Sequence, residues 1–480
     1  MKRLRWYDHI AINIYWFAQS MDSATMTPIV LPLLVMSFVP AELKNTFYGI
    51  LRAAGLIVAI IVQPAAGLLS DRSASRWGRR RPFIIIGTVL CIACMIVIGL
   101  ANSYLMLLAG VLLLQVATNI SHGALQGLIP DLVPEDQRGV ASGVKSVFDL
   151  LPIIVVAFTV AKLADAGQIW ACLLIVAASR LLGMLITVLG VKEEPLAEKP
   201  EEPVGPMLWR ILGMLLGIVI GAVAAGVAGG AIGGLGGLVA WPLVGKETAM
   251  LIGVGIGGLV AIVVAIVVGV WASVSISADA RRYPSFTWWV VNRLLFLAGV
   301  GSLQSFALYF LQDVLRLENA AGATGTLMMF VGLFTVATAL PGGYLSDKFG
   351  RKRLLVLSGI VAGLGTCLLF VSTNMTLVTI SGCIIGVAVG IFMSTNWALG
   401  TDLVPPEEAG RYLGISNLAS AGAGVVGAGL GGPLADYFNR YSQGLGYMVI
   451  FGIFAICLLL SSVVLVKVAE PHSGEATQRA

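Results

Sequence analysis

Apolar residues run through this 480-residue chain in long blocks, punctuated by short polar stretches. Blocks of about 20 apolar residues are what a helix needs to cross the hydrocarbon core of a bilayer. Fourteen can be placed, at 10–38, 45–70, 82–101, 104–130, 139–161, 168–191, 208–232, 249–273, 286–311, 322–346, 354–372, 376–400, 411–436 and 445–467. Lipid leaves only helices or closed barrels with a satisfied backbone, and long continuous apolar runs select helices. The pattern predicts an all-α membrane protein of about 14 transmembrane helices.

Composition agrees. The chain is 58% hydrophobic and 11% charged, with a mean hydropathy of +0.93. Soluble domains lie near 45–50% apolar and about 25% charged. A net charge of +5 could suggest nucleic acid, but topology explains the same bias and nucleic acid is not expected as a partner. With the N-terminus in the cytoplasm, twenty Lys and Arg fall on the cytoplasmic side. Five (Lys44, Lys162, Lys246, Arg316, Arg440) fall on the other, and five lie within spans. The positive-inside rule then places both termini in the cytoplasm, in an integral protein of the plasma (inner) membrane. The basic N-terminus resembles a signal peptide, but its apolar run passes Asp22 without a small-residue cleavage site, so a retained first span is expected. All six cysteines lie in apolar runs and read as small core residues.

The polar punctuation repeats. Residues 67–83, GLLSDRSASRWGRRRPF, place five arginines in ten positions, and GYLSDKFGRKR at 343–353 is a near-copy. PDLVPEDQRG at 130–139 echoes TDLVPPEEAGR at 401–411. Gly78 and Asp131 are 53 residues apart, Gly350 and Asp402 52 apart. Two landmarks at nearly equal spacing imply parallel halves. The offset of about 272 is too long for six spans, and the surplus lies at 192–285. It opens with an acidic, Pro-rich linker, KEEPLAEKPEEPVGP, and continues in two Gly-rich apolar runs with four-residue glycine spacing, the pattern that lets helix backbones approach. Three parts follow: an N-terminal bundle at 1–191, a linker and helical hairpin at 192–285, and a C-terminal bundle at 286–480. A re-entrant or bent first hairpin helix is the alternative.

Two six-helix halves carrying this loop resemble the major facilitator superfamily of secondary transporters. Gly343, Asp347, Gly350, Arg351 and Lys352 match its loop motif in full. The first copy, with Gly67, Asp71, Gly78, Arg79 and Arg80, has four extra residues and is similar to the sucrose-carrier branch of glycoside transporters, as is QVATNISHGALQGLIPDL at 115–132. The resemblance implies alternating access. Asp71 and Asp347 are then expected to act as a gating latch, pairing with guanidinium groups and facing a helix N-terminus in one orientation of the halves; the arginines alone would serve topology. It also implies an acid and an arginine on the fourth span, but Gln115 and Gln126 stand there. Any coupling group must lie elsewhere.

Ionisable residues deep in a span cost about 2.5–3.5 kcal/mol or more unless paired or solvated. Asp22, Lys145, Asp149 and Arg180 qualify, all in the first half, and Asp149 follows Lys145 by one turn. An acid balanced between desolvation and a cation can exchange protons; Asp149, with Lys145 one turn away, is the first coupling candidate and Asp22, with no cation at helical spacing, the second, while static pairing of Asp149 with Lys145 or Arg180 is the bland reading. His122, alone on its helix, reads more simply as a packing residue and is kept as a coupling candidate. Gln19, Gln115, Asn119, Asn292, Gln304, Asn396, Trp397 and Asn417 supply the amides and aromatic face that a sugar site needs, although each amide could instead tie helices together.

The expected function is secondary active transport of a small polar solute, a sugar or glycoside, with proton or other cation coupling open. An exporter of amphipathic molecules and a non-transporting assembly or sensor protein are the alternatives. Three scattered histidines give no metal cage, VAWPLVGKET has Ala240 where a phosphate loop needs glycine, and neither an enzyme nor a cofactor is implied. Oligomeric state leaves no signal.

Overall fold

The computed structural model describes residues 4–193, 205–277, 284–403 and 409–469. Most of the acidic linker, at 194–204, and part of the TDLVPPEEAGR echo lie outside them, as does the side chain of Asn417. Fourteen long helices follow the apolar blocks, all but one within a few residues: α1 (Trp6–Phe38), α2 (Ala41–Asp71), α3 (Arg81–Gly99), α4 (Tyr104–Leu132), α5 (Arg138–Asp165), α6 (Ile169–Gly190), α7 (Gly205–Val244), α8 (Lys246–Ser277), α9 (Pro284–Asp313), α10 (Ala320–Phe349), α11 (Arg351–Val371), α12 (Met375–Asp402), α13 (Ala409–Asn439) and α14 (Leu445–Val464). The exception is α7, which continues twelve residues past the expected end at 232 because its glycine-rich segment stays helical against α8. Thirteen of them, all but α13, have described spans long and apolar enough to cross a membrane. The protein is an all-α integral membrane protein.

Local sequence explains the irregularities. In MTPIVLPL, Pro28 and Pro32 each remove a backbone donor, and α1 widens into a π turn at Met26–Val30. Serine and asparagine cap the starts of α4 and α12: Ser103 Oγ accepts from Met106 N at 3.4 Å and Asn374 Oδ1 from Leu377 N at 3.0 Å. Those caps lie 271 residues apart, close to the repeat offset. The basic loops share a second mark, since Gly78 and Gly350 both take positive φ, +97° and +94°. Side chains rarely adopt that conformation, so both loops need glycine where the chain turns into the next helix.

Helix α7 is continuous over 40 residues through its glycine run, so the hairpin is neither re-entrant nor broken. Packing against α8 compensates the low helix propensity of glycine. An added methyl at Gly221, Gly229 or Gly233 would lie 2.5–2.7 Å from the carbonyl oxygens of Ala265, Gly257 and Gly253. The backbones touch because no side chain intervenes.

By contacts the chain forms two units. One comprises Met1–Pro203 with Ser305–Met329, the other Val204–Gln304 with Phe330–Ala480. In the first, α1 packs on α5 and α6, and α3 on α4 and α6. In the second, α11 packs on α12 and α14, and α8 of the hairpin rests against α13. The pairing of α3 with α4 and α6 thus recurs as α11 with α12 and α14, as parallel halves require.

Candidate functional site

The first unit buries a complete ion pair. Arg180, fully buried on α6, donates through Nη2 to Asp22 Oδ2 of α1. The same nitrogen lies 3.3 Å from Thr118 Oγ1 of α4, while Nη1 donates to the Tyr15 hydroxyl at 3.3 Å. Tyr15 in turn meets Thr88 Oγ1 of α3 at 2.6 Å, and Thr118 meets Cys91 Sγ at 3.2 Å. The guanidinium carried by α6 is therefore held by α1 and α4, with α3 joined to it through Tyr15 and Thr118. Asp22 has no cation at helical spacing, and only the fold supplies Arg180. Tyr15, Thr88 and Thr118 escape sequence reasoning because hydroxyls in apolar helices leave no charge signal.

Asp149 takes the other pairing. Lys145 Nζ reaches its Oδ2 at 2.6 Å and Ser20 Oγ donates to Oδ1 at 3.1 Å. Both charged side chains are about a third exposed. Lys145 also stands 3.9 Å from the centre of the Trp16 ring, whose opposite neighbour is His122 in an edge contact at 5.5 Å. Here His122 packs on an aromatic ring, with Gln126 Nε2 3.4 Å from its own Nε2. Asn119 donates to the carbonyl and side chain of Gln115 on the same helix, at 2.8 and 3.2 Å. Along α1, Trp16 Nε1, Gln19 Oε1, Asp22 Oδ1 and Thr25 Oγ1 are buried and make no hydrogen bond.

In the second unit the amides form a relay. Arg293 Nη1 donates to Asn396 Oδ1 at 2.8 Å, Asn396 Nδ2 to Asn292 Oδ1 at 3.1 Å, and Asn292 Nδ2 to the Ser461 carbonyl of α14 at 2.8 Å. Arg293 also lies 5.6 Å from the Trp397 ring and 6.0 Å from that of Trp289. Asn292 and Asn396 thus tie α9, α12 and α14 together, while Gln304 is exposed and stands apart from the relay.

The two basic loops differ. Arg80, 5% exposed, binds Asp71 through Nη2, Asp131 through Nε at 2.9 Å and Ser70 Oγ through Nη1 at 2.6 Å, while Arg79 also pairs with Asp131. Asp131 belongs to the echoed PDLVPEDQRG segment, so the repeat had marked it without assigning it a role. Asp71 therefore faces Arg80, whereas the expected acid at a helix N-terminus is Glu193. Its Oε2 accepts from Arg80 N at 2.9 Å and Arg81 N at 3.2 Å at the start of α3. In the second loop Asp347 meets Arg351 only at 3.5 Å and is largely exposed. Arg351 and Lys352 instead donate to the carbonyls of Ala398 and Val468, at 2.7 and 2.8 Å. Close to the loops, Gly67 and Gly343 play one part: their carbonyls accept from Ser70 and Ser346 at 2.8 and 2.7 Å.

At the opposite ends of the helices the first unit holds a further set. Lys44, read from sequence as a loop cation, is buried, bonds Asp313 at 2.7 Å and lies 4.9 Å from the Tyr309 ring. Asp165 accepts from Ala321 N and Gly322 N at the start of α10, at 2.9 and 2.7 Å.

Two helical units, each with its own buried polar network, make a polytopic membrane protein. A family profile of the Major Facilitator Superfamily matches residues 14–315 and 294–480, and the chain belongs to that superfamily. It is a transporter family rather than an enzyme family, and its members bind small-molecule substrates. Similar curated proteins include a minor myo-inositol transporter from Bacillus subtilis, 34% identical over 88 residues that cover 18% of this chain and 20% of that protein. A sucrose transport protein from Arabidopsis thaliana is 28% identical over 124 residues, 21% of each chain. The matched segments span only 14–21% of the first such relatives' own lengths. Among solved structures, a variant of a peptide transporter in complex with alafosfalin superposes with a TM-score of 0.66 at 15% identity, covering 95% of this chain and 93% of the other. That likeness concerns the fold alone.

Proposed function

We propose that this chain moves a small neutral polyhydroxyl solute, a sugar or glycoside, by alternating access of the halves 1–191 and 286–480, with Asp22 as the proton-responsive group. One observation carries the reading: both acids deep in the first unit's spans are matched by a cation, Asp22 by Arg180 and Asp149 by Lys145. They leave a cationic substrate no uncompensated carboxylate there, and Arg52 of α2, which makes no ion pair among the described residues, donates to Thr27 Oγ1 at 3.1 Å. Neutral donors and acceptors line α1 instead, with Trp16 Nε1, Gln19 Oε1 and Thr25 Oγ1 making no hydrogen bond. Sugar hydroxyls both donate and accept, so they suit that set. The sucrose and inositol relatives point the same way.

Asp22 is preferred to Asp149 for coupling because it is more deeply buried and one of its oxygens, Oδ1, is unpartnered. Protonation would release Arg180 toward Thr118 and Tyr15, which already lie within reach. The Arg80–Asp71–Asp131 cluster serves as the cytoplasmic latch, and both termini lie in the cytoplasm. Purified protein in liposomes tests the whole reading, using a panel of labelled sugars, peptides and nucleosides under imposed pH gradients. Sugar flux that accumulates with an inward proton gradient is the expected result. Asp22→Asn, compared at equal amounts of folded protein because it leaves Arg180 without its carboxylate, should then abolish accumulation and keep sugar exchange, which needs no net proton movement. Equal, pH-independent flux in both proteins would remove the coupling, and uptake confined to peptides would remove the substrate class.

A further inference from the structure

The first hairpin helix carries two lines of glycine that meet different surroundings. Gly221, Gly229 and Gly233 press on the backbone of α8, and close packing accounts for them. At Gly226, Gly230 and Gly234 an added methyl would meet no protein atom within 4 Å. Glycine weakens a helix relative to alanine, so contacts within the protein give no reason for this second line.

These three glycines, together with Gly229, Gly233 and the α8 face from Ala249 to Ala261, line a groove of about 680 Å³, walled on its far side by Leu430, Leu434 and Tyr437 of α13. Small-molecule sites run from about 300 to 1,000 Å³. On α7 the lining extends from Ala225 to Trp241, which is about 24 Å along the axis at 1.5 Å per residue. The groove is therefore long and narrow, and it follows a membrane span. One charged residue lines it, Lys246, the first residue of α8 after the turn from α7. Lys246 is exposed and forms no ion pair among the described residues. Trp241, one turn before that corner, has the amphipathic ring that favours the headgroup level of a bilayer.

We propose that the groove is a binding site for an anionic phospholipid, one acyl chain lying along Gly226, Gly230 and Gly234 and the phosphate at Lys246. The shape selects a chain over a compact ligand, because absent side chains leave a trough of nearly constant depth. The cation at the end selects a negative headgroup over a zwitterionic one. The surrounding bilayer is the source. Bound there, the lipid would join the hairpin to α13 and fill the space that the second glycine line leaves open.

The test uses the full-length protein, stripped of lipid in detergent, with phosphatidylglycerol or phosphatidylcholine of identical chains added back. Thermal unfolding and native mass spectrometry are the readouts. Phosphatidylglycerol should raise the unfolding midpoint more than phosphatidylcholine and remain bound in the mass spectrum. Gly230→Leu, whose Cβ would have no protein atom within 4 Å and whose remaining carbons enter the trough, should remove that difference. Lys246→Gln, at the exposed start of α8, should make the two lipids equivalent. Equal effects of the two lipids on the unaltered protein would overturn the proposal, as would an undiminished phosphatidylglycerol effect in Gly230→Leu or in Lys246→Gln. A dimer that dissociates on Gly230→Leu would assign the groove to a second copy of the chain and overturn it too.

Discussion

Replacing Arg180 with methionine leaves the Asp22 carboxylate buried beside hydroxyls and a thiol, with no cation in contact. Breaking a buried pair from one side costs about 3–5 kcal/mol, whereas replacing both partners is often close to neutral. The expected outcome is a large loss of thermal stability in Arg180→Met and substantial recovery in the double variant Asp22→Asn/Arg180→Met, read by unfolding in detergent. A double variant no better than the single would mean the two residues are not energetically linked. The Lys145–Asp149 pair, about a third exposed and four residues apart on one helix, should matter less. Lys145→Met is expected to cost about 1 kcal/mol or less. At this scale the sequence named all four charged residues but ranked them by helical spacing. That rule sees Lys145 beside Asp149 and cannot see a guanidinium arriving from a helix 158 positions away.

Adjacent glycines on α7 separate packing from exposure. Gly233 has the Gly253 carbonyl 2.5 Å from where its Cβ would stand, and Gly234 has nothing within 4 Å. Gly233→Leu should force α7 and α8 apart and cost about 1–3 kcal/mol, the usual range for overpacking. Gly234→Leu should be neutral or mildly stabilising, since leucine is the better helix former by under about 1 kcal/mol. Unfolding midpoints of the two variants, measured side by side in the same detergent, check this directly. Equal losses would show that the hairpin packs differently from this description. The end of the linker offers another test. Glu193 accepts two backbone N–H groups at the start of α3, so Glu193→Ala should cost about 0.5–2 kcal/mol, as lost caps do. The four-residue glycine period was legible in the sequence. Which of its lines faces α8 depends on helix rotation, which pattern alone leaves free.

For the whole molecule, the unequal loops predict unequal gates. Arg80 is buried and binds two aspartates, whereas Asp347 is largely exposed and meets Arg351 only at 3.5 Å. Asp131→Asn should therefore shift the balance between inward- and outward-open states more than Asp347→Asn does. A tenfold shift corresponds to about 1.4 kcal/mol, within reach of one charged contact in a partly buried cluster. Labelling rates of single cysteines introduced at the two membrane faces measure the shift. Indistinguishable rates in the two variants would reduce the loops to topology signals.

Membrane insertion, helix number, most helix boundaries and the repeat were legible in the sequence itself, although α7 runs to Val244 where the apolar block was expected to end at 232. They depend on terms that are local or simply additive: the apolar length of each block and motif spacing along one dimension. The superfamily was legible for the same reason, because its loop motif needs glycine and charge at fixed offsets. Tertiary structure alone decided which charges meet. It paired Asp22 with Arg180 rather than leaving it alone, gave the start of α3 to Glu193 rather than Asp71, and buried Lys44 against Asp313. The physical cause is common to all three. A charge in a low-dielectric interior takes whichever opposite charge or backbone donor packing brings within a few ångströms, and that separation is a property of helix rotation and depth rather than of distance along the chain.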